Sequence, residues 1–484
     1  MPDATDINRA SHDHSHAQNR LAVIPTVEKL NSDPARSGRG ICIAFLDSAF
    51  YPHPDFIDRV VAFHDVAGDE DSLGAIHKPS GHHWHGTQTV VACAGNGSLS
   101  DGVYRGLAHE ANLVLVKVSR DGRVADASIE AGLRWVISNR ERHNIRVLNM
   151  SLGGDMDVGL ADSCINQLTE DLVVAGVVVT VAAGNSAETR SIPPANSPSV
   201  ITVGGYSDEN QFSPENFDLY HSSHGATADG LIKPEIIAPA MYVAAPILPN
   251  TADYLAAETL SMLAGTPDYG FRTMLEQRWN DGGIDPQILE RDDQSARLAV
   301  DDAIIRRKIV ATHYQHVDGT SFAAPITASV AAQMIEANPA LTPAAIKNIL
   351  ISTASRLGGH PAIRQGFGVV NAGLAVEKAR DETHILDQEN YFPPRIEGNR
   401  ILFCYHNDDA AEVSLWGDFN DWRWKAVAFA RTGHGLWHAE IPCQPAGYYR
   451  YKFLIDGTRW TEDPSHGLKE DDRLGGFNSI LVIQ

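Results

Sequence analysis

The sequence predicts an α/β domain over residues 38–385, followed by an all-β sandwich over residues 395–484. In the first region, short apolar runs typical of buried strands alternate with longer helical segments. This alternation predicts a mostly parallel sheet with helices on both faces, which gives three layers. In the second region, short alternating runs are separated by Gly and Asp turns, which indicates an antiparallel sandwich.

Three strands of the predicted sheet have polar residues at or near their carboxyl ends. The apolar run 41–46 ends at Asp47, the run 147–150 contains Asn149, and the run 177–183 is followed by Asn185. Reactive groups gather at the carboxyl ends of the strands in open α/β sheets. We therefore expect this edge of the sheet to carry the site.

Two further segments are set apart by their composition. Residues 1–37 form a polar N-terminal arm that is rich in histidine at its start. Residues 246–316 are charged and helix-prone, and they interrupt two parts of the α/β pattern. This insertion is either a lid that gates substrate, or it is a helical outgrowth or a dimer contact.

Charge and cysteine usage exclude several classes of protein. The net charge of −22 disfavours nucleic-acid binding, because no basic face is available to neutralise phosphates. We expect no membrane span and no secretory signal, since long apolar runs are missing from the sequence. The five scattered cysteines indicate core residues in a reducing compartment, so the predicted location is the cytoplasm. The oligomeric state stays open.

The segment 319–325 reads Gly-Thr-Ser-Phe-Ala-Ala-Pro and places Ser321 at the start of an apolar, Ala-rich helix. Unpaired N–H groups at a helix N-terminus suit the oxyanion that forms when a serine attacks a carbonyl. Taken alone, the same serine is equally well explained as an N-cap.

Two other residues favour the nucleophile. Asp47 is a carboxylate at a buried strand end, and His85 opens a predicted helix in His-Gly-Thr. In this interpretation His85 takes the proton of Ser321, and Asp47 fixes the tautomer of His85 and stabilises its imidazolium. Asn185 is placed to donate to the oxyanion.

These segments together resemble the subtilisin-like serine proteases over residues 38–380. Four motifs occur in the family's order: the aspartate motif (residues 47–48 and 53–56), the histidine motif (85–87), the oxyanion motif (183–185) and the serine motif (319–325). The resemblance implies an endopeptidase that acts through an acyl-enzyme and needs no cofactor for its chemistry. It also implies that the substrate is bound as a strand by Ser151, Leu152, Gly153, Ala183 and Gly184. The sequence departs from the family pattern at Ala49, Gln88 and Ala240, none of which removes a catalytic group.

Two properties of subtilisin relatives are less clearly marked in this sequence. Relatives commonly bind structural calcium, but no loop has an EF-hand-like spacing, so the metal ligands stay unknown. Residues 20–28 resemble the inhibitory N-terminal segment of intracellular subtilisins, in which an Ile-Pro pair lies in the active-site cleft. Here that pair would be Ile24-Pro25, and the alternative is a surface strand that packs on the domain.

The C-terminal region resembles the glycogen-binding modules of carbohydrate-binding module family 48, the type found in isoamylase and the AMP-activated kinase β-subunit. These modules are immunoglobulin-like sandwiches, and the resemblance covers about residues 398–484, with Leu-Trp-Gly-Asp-Phe-Asn-Asp-Trp over residues 415–422 as its clearest motif. The resemblance implies aromatic stacking on glucose rings and polar contacts to hydroxyls. The residues at the matching positions are Trp422, Lys452, Trp460, Leu474 and Asn478.

The sequence therefore predicts a serine endopeptidase, acting on protein or peptide substrates, that is tethered to glycogen or another α-glucan. Two alternatives remain. The sandwich could dock a protein partner or serve as a spacer, or the protease fold could be a silent scaffold that binds glucan.

Overall fold

The computed structural model describes residues 22–78, 83–120, 122–382, 393–423, 427–433 and 435–483. Residues 1–21 of the predicted arm lie outside the described residues. The prediction of an α/β domain followed by a β-sandwich is confirmed.

The first domain is organised around a nine-stranded sheet. The strands of this domain are β1 Cys42–Asp47, β2 Val60–Asp65, β3 Glu70–Asp71, β4 Asn112–Lys117, β5 Ile145–Met150, β6 Val178–Ala182, β7 Ile201–Ser207, β8 Asp218–Leu219, β9 Gly225–Ala226, β10 Ile232–Lys233, β11 Ile236–Pro239, β12 Val243–Pro246, β13 Ile309–Ala311 and β14 Tyr314–Val317. The order in the main sheet is β11-β7-β6-β5-β1-β4-β2-β3, with β8 paired to β7. The central strand β1 pairs in parallel with β4 and β5 and is buried along its whole length.

Helices cover both faces of this sheet, which gives the three predicted layers. Along β1, Ile43 and Phe45 belong to one core, and Ala44 and Leu46 belong to the other, as expected when side chains alternate across a strand. The helices are α1 Thr26–Lys29, α2 His83–Ala94, α3 Asp126–Asn139, α4 Cys164–Val174, α5 Ala252–Gly265, α6 Asp268–Arg278, α7 Asp293–Arg306, α8 Thr320–Ala337, α9 Pro343–Thr353, α10 Ala362–Gln365 and α11 Ala372–Asp381.

Helix α8 is buried along almost all of its 18 residues, and Ser321 is one of the few that are not. Its many alanines allow close approach to the strands of the sheet and to α2 and α11. A helix that is apolar on all sides is one that is surrounded by protein. The segment that carries Ser321 is therefore fixed by the core of the domain.

The helical insertion has a small core of its own, formed by α5, α6 and α7. Its two ends lie side by side, because β12 pairs antiparallel with β14. Among the described residues, the polar contacts that attach it to the main domain include an ion pair between Lys308 and Asp318 and two hydrogen bonds. The Tyr314 hydroxyl donates to Asp55 (2.8 Å), and the Gln88 side chain donates to the carbonyl of Pro246 (3.1 Å).

The described part of the N-terminal arm packs on the α/β domain. Val23 and Leu30 enter its core, the amide of Ile24 donates to Asn210 (2.8 Å), and Lys29 forms a buried ion pair with Asp208 (2.6 Å). Among the described residues, no hydrogen bond joins residues 22–30 to the predicted catalytic groups. The described contacts therefore fit a segment packed on the domain.

The C-terminal region forms two antiparallel sheets with a shared core that includes Phe403, Trp437, Tyr451 and Phe453. The strands are β15 Arg395–Glu397, β16 Arg400–His406, β17 Val413–Gly417, β18 Val427–Ala428, β19 Ala430–Gly433, β20 Leu436–Pro442, β21 Gly447–Ile455, β22 Arg459–Thr461, β23 Lys469–Asp471 and β24 Phe477–Ile483. The sheet orders are β15-β16-β20-β19 and β18-β17-β21-β24-β23, with β22 paired to β21.

All five cysteines are unpaired. Within the described ranges, no helix has both the length and the apolar character needed to cross a bilayer.

Candidate functional site

Asp47 is held at the end of β1 by a set of donors that compensate for its burial. Its side-chain oxygens accept hydrogen bonds from the Ser48 amide (2.6 Å) and the Thr89 hydroxyl (3.1 Å). A buried carboxylate needs such partners, because desolvation of its charge is costly. Sequence reasoning missed Thr89, although its position four residues after His85 puts both side chains on one face of α2.

His85 lies in the first turn of α2, and its Nδ1 is 2.7 Å from Asp47 Oδ1. Because a carboxylate is an acceptor only, Nδ1 carries the proton and Nε2 is free to accept one. Burial lowers the pKa of His85, but the charge and hydrogen bond of Asp47 outweigh burial, so the pKa is raised above its usual value. The pair is thus arranged as a general base with an orienting carboxylate.

Ser321 is the second residue of α8, and its backbone is fixed from outside the helix. Pro325 has no N–H, so it cannot donate to the carbonyl four residues earlier, which is that of Ser321. The hydroxyl of Ser151 donates to this carbonyl instead (2.7 Å). Ser151 in turn accepts from the Asn149 side chain (3.0 Å), so the end of β5 positions the start of α8.

Asn185 is oriented by the same helix start. Its Oδ1 accepts from both the amide and the hydroxyl of Thr320, each at 2.9 Å. In the described part of the chain its NH2 group donates to no residue. A fixed amide whose donors are unused is suited to bind a developing oxyanion.

One cleft of about 810 Å³ brings most of the predicted site residues together. Its lining includes Ser321 and Asn185 together with all five predicted substrate-binding residues, Ser151, Leu152, Gly153, Ala183 and Gly184. It also includes three charged residues that the sequence did not single out, Asp157, Glu188 and Arg190. Arg190 and Asp157 form an ion pair (2.6 Å), so the cleft wall is more polar than its Ala-Gly motif suggests.

In the described residues, no hydrogen bond joins the Asp47–His85 pair to Ser321. The ring of His85 is 6.3 Å, centroid to centroid, from the ring of Phe322, the residue after Ser321. Catalytic hydrogen bonds are often long in the absence of substrate. The arrangement contains each group that a serine nucleophile requires, and the transfer of its proton to His85 stays a prediction.

On the sandwich, the outer face of the second sheet carries aromatic side chains at its centre. Trp416 on β17 is paired with Lys452 on β21, and Trp460 on β22 is paired with Leu454 of β21. Lys452 and Leu454 are two residues apart on β21 and therefore share a face of the sheet. Trp416 and Trp460, which are paired with them, lie on the same surface. Trp416 packs edge-on against Trp460 (5.4 Å between centroids), and Trp422 is 6.4 Å from Trp460.

The remaining predicted sugar contacts border this surface. Lys452 forms an ion pair with Asp472. The Asp472 side chain also accepts hydrogen bonds from the amides of Leu474 and Gly476, which shapes the loop that exposes Leu474, a residue that is 90% accessible. Asn478 is paired with Glu470 on the neighbouring strand. Trp416 was not among the predicted contacts, although its alternation with Leu415 already placed it opposite the core.

Comparison with known families decides the identity of the first domain. Residues 38–369 match the model of the subtilase family. The chain belongs to the subtilase family. This subtilase is 30% identical to the serine protease AprX of Bacillus subtilis (strain 168), over 72% of its own length and 69% of that protein's. It is also 32% identical to subtilisin-like protease 1 of Arthroderma gypseum, but over only 37% of its own length and 34% of the fungal protein. It is thus a subtilisin-like serine peptidase.

Structural comparison agrees at the level of the fold. The crystal structure of fervidolysin from Fervidobacterium pennivorans, described as a keratinolytic enzyme related to subtilisin, is similar with a TM-score of 0.51. The likeness covers 88% of this subtilase and 55% of fervidolysin at 17% identity. Residues 390–471 match carbohydrate-binding module 48, the isoamylase N-terminal domain, so the peptidase carries a carbohydrate-binding domain.

Subtilases often bind structural calcium, and the described residues contain one cluster with metal-ligand spacing. Glu382, His406 and Asp408 place their ligand atoms within 4.8 Å of one another where the two domains meet. Calcium prefers six to eight oxygen ligands, and this set offers two carboxylates and one imidazole nitrogen. The cluster does not fit a calcium site, and the predicted calcium ligands stay unknown.

Proposed function

We propose that this subtilase is an endopeptidase in which Ser321 attacks the scissile carbonyl and forms an acyl-enzyme. His85 accepts the proton of Ser321 and passes it to the leaving amine, while Asp47 holds the ring in the required tautomer. Asn185 and the amide of Ser321 donate to the oxyanion of the tetrahedral intermediate. The substrate backbone lies along Ser151–Gly153 as an added strand.

The observation that supports this proposal most strongly is the hydrogen bond between His85 Nδ1 and Asp47 Oδ1 at 2.7 Å. It fixes the tautomer in which Nε2 accepts a proton. A silent scaffold would have no need for a buried carboxylate whose desolvation is offset by a histidine, a threonine and a backbone amide.

A fluorophosphonate probe tests the nucleophile directly, since it reacts with an activated serine. We expect labelling of the wild-type protein, none of Ser321→Ala, and unchanged labelling of Ser352→Ala, a control serine on α9. Hydrolysis of a denatured protein substrate should follow the same pattern. Wild-type protein that is folded but neither labelled nor active would support the silent scaffold.

We further propose that the sandwich binds an α-glucan such as glycogen through Trp422, Lys452, Trp460, Leu474 and Asn478. The exposed aromatic surface supports this proposal, because the apolar faces of pyranose rings stack on indole rings. Binding to a glycogen particle would raise the local concentration of the peptidase near proteins on that particle. The alternative is that the same surface docks a protein partner.

Co-sedimentation with glycogen distinguishes these alternatives. We expect the wild-type protein to sediment with glycogen and the Trp422→Ala/Trp460→Ala variant to stay in the supernatant. Tyr269→Ala, which removes an aromatic ring from the surface of the insertion, is the matched control. Equal sedimentation of all three proteins would exclude the proposed sugar face.

Two predictions from the sequence, the location and the role of the insertion, stand as further proposals. A cytoplasmic location is supported by the five unpaired cysteines. A gating role for the insertion is supported by the hydrogen bond that Tyr314 of the insertion donates to Asp55 of the aspartate motif. No described contact supports inhibition by Ile24-Pro25. Such inhibition would require the hydrogen bond between the Ile24 amide and Asn210 to break.

A further inference from the structure

Residues 223–232 of the peptidase domain form a segment that contacts the sandwich at one end. We call it the coupling hairpin, and it contains β9 and the first residue of β10. The amide of Ile232 donates to the carbonyl of Gly467 (2.9 Å), and Leu231 pairs with Leu468 as in antiparallel strands. The fit is close, because a Cβ added to Gly467 would lie 2.6 Å from Leu231 Cδ2.

At its other end the coupling hairpin forms part of the substrate cleft. The amide of Ser223 donates to the carbonyl of Gly184 (3.0 Å), and its hydroxyl is 3.0 Å from that of Thr189. Ser223, Gly184 and Thr189 all line the cleft together with Ser321. A shift of Ser223 would therefore move the wall that faces the substrate.

The middle of the hairpin supports the cleft rim. Asp229 accepts a hydrogen bond from the Leu160 amide (2.7 Å), and Gly159 lies so close to Asp229 that a Cβ there would be 2.2 Å from the carboxylate. Asp157, two residues earlier, forms the ion pair with Arg190 in the cleft lining.

Other sandwich residues that contact the peptidase domain lie close in the sequence to the proposed sugar contacts. Glu462, which forms a buried ion pair with Arg356 of the peptidase domain, is two residues from Trp460. Lys469 lies 4.4 Å from the ring centroid of Phe367, and the next residue, Glu470, is paired with Asn478. The docking residues therefore lie on β23 or directly beside β22 and β23, next to the proposed sugar face.

From this path we infer that the sandwich positions the wall of the substrate cleft for peptide binding. Glucan bound to the sandwich then changes the KM for peptide substrates through the coupling hairpin. The inference rests on the proposed function of both domains. The hairpin residues touch no reacting atom, so kcat should change much less than KM.

Loss of docking is tested in the full-length protein with a soluble chromogenic peptide. Leu468→Asp places a charge against Leu231, and Gly467→Ala adds a methyl group at the tight contact. We expect either variant to raise KM about threefold to tenfold with kcat changed less than about twofold. The controls are Val174→Asp and Gly68→Ala, at positions of the peptidase domain where Val174 is exposed and a Cβ at Gly68 meets no atom closer than 3.8 Å.

The glucan link is tested by adding maltoheptaose to the same assays. We expect KM of the wild-type protein to shift about twofold or more and KM of Leu468→Asp to stay constant. Equal KM values for all variants would overturn the inference, and a docking effect without a maltoheptaose effect would overturn the glucan link. Fluorophosphonate labelling and glycogen co-sedimentation of each preparation identify failure of the proposed function itself, since either signal would then be lost in the wild type.

Discussion

The hydroxyl of Ser151 donates to the backbone carbonyl of Ser321 over 2.7 Å. It replaces the amide that Pro325 cannot provide in the first turns of α8. The predicted substrate-binding edge and the predicted nucleophile are therefore parts of one hydrogen-bonded unit, and a change in one should be measurable in the other.

This relationship predicts a rescue by a second substitution. Ser151→Ala should lower the free energy of unfolding by about 1–3 kcal/mol, because the Ser321 carbonyl loses its donor. Adding Pro325→Ala should recover most of this loss, since an alanine in place of the proline supplies the missing helical N–H. Urea unfolding in a Ser321→Ala background, which prevents self-digestion, measures both effects. If the double variant is no more stable than Ser151→Ala, the new N–H at position 325 does not replace the Ser151 hydroxyl as donor to the Ser321 carbonyl.

Removal of the Asp47 carboxylate should affect turnover far more than binding. Asp47→Asn should lower kcat about 10⁴-fold, because an amide at this position favours the wrong tautomer of His85. Thr89→Val removes one hydrogen bond to the same carboxylate, and we expect a loss of about tenfold or less. Steady-state kinetics with a peptide substrate check both values, and a similar loss in the two variants would argue against the special role of Asp47.

The raised pKa of His85 predicts the acid limb of the pH profile. Burial alone would lower the pKa, but Asp47 raises it above the usual value of 6.5, and the reaction requires neutral His85. We therefore expect kcat/KM to increase with pH around a midpoint above 6.5. A midpoint below that value would show that another group controls the rate.

The same shift has the opposite consequence for stability. Because its folded pKa is raised, His85 contributes stability that is fully present below the unfolded pKa and is lost as pH rises through the folded pKa. The difference in unfolding free energy between Ser321→Ala and Ser321→Ala/His85→Gln should therefore shrink as pH increases across this window. A constant difference would mean that the His85–Asp47 pair is not coupled to protonation.

Asn185 offers a test that separates its two roles. Asn185→Asp keeps an oxygen that accepts from Thr320 but removes the NH2 donors, so kcat should fall about 10²–10³-fold or more. The variant should remain folded because the Thr320 contacts are retained. Single-turnover kinetics give the chemical step, and an unchanged rate would place the oxyanion donor elsewhere.

Trp416 should support glucan binding by holding Trp460. The two rings meet edge-on at 5.4 Å, so Trp416→Ala should weaken glycogen binding about threefold to tenfold by loosening Trp460. Co-sedimentation at varied glycogen concentration measures this change. If Trp416→Ala binds glycogen with the same affinity as the Tyr269→Ala control, Trp416 contributes to packing and not to glucan binding.

Much of the site was readable from the sequence because each functional group lies at a boundary between elements. Asp47 ends an apolar strand, His85 and Ser321 begin helices, and Asn185 follows a strand. Strand ends and helix starts are set by local patterns of apolar and small residues, so their order along the chain predicts the sheet edge where they meet. The alternation of the C-terminal strands predicted the sandwich in the same way.

The amino-acid sequence by itself determined the fold class, the chemistry of the predicted nucleophile and the aromatic character of the sandwich. Only the tertiary structure decided which residues support them, such as Thr89 on Asp47, Ser151 on Ser321 and the pairing of Leu231 with Leu468. Local patterns depend on neighbours along the chain, whereas these contacts join residues from about 40 to more than 200 positions apart. Their partners are fixed by the packing of whole elements, which no local pattern encodes.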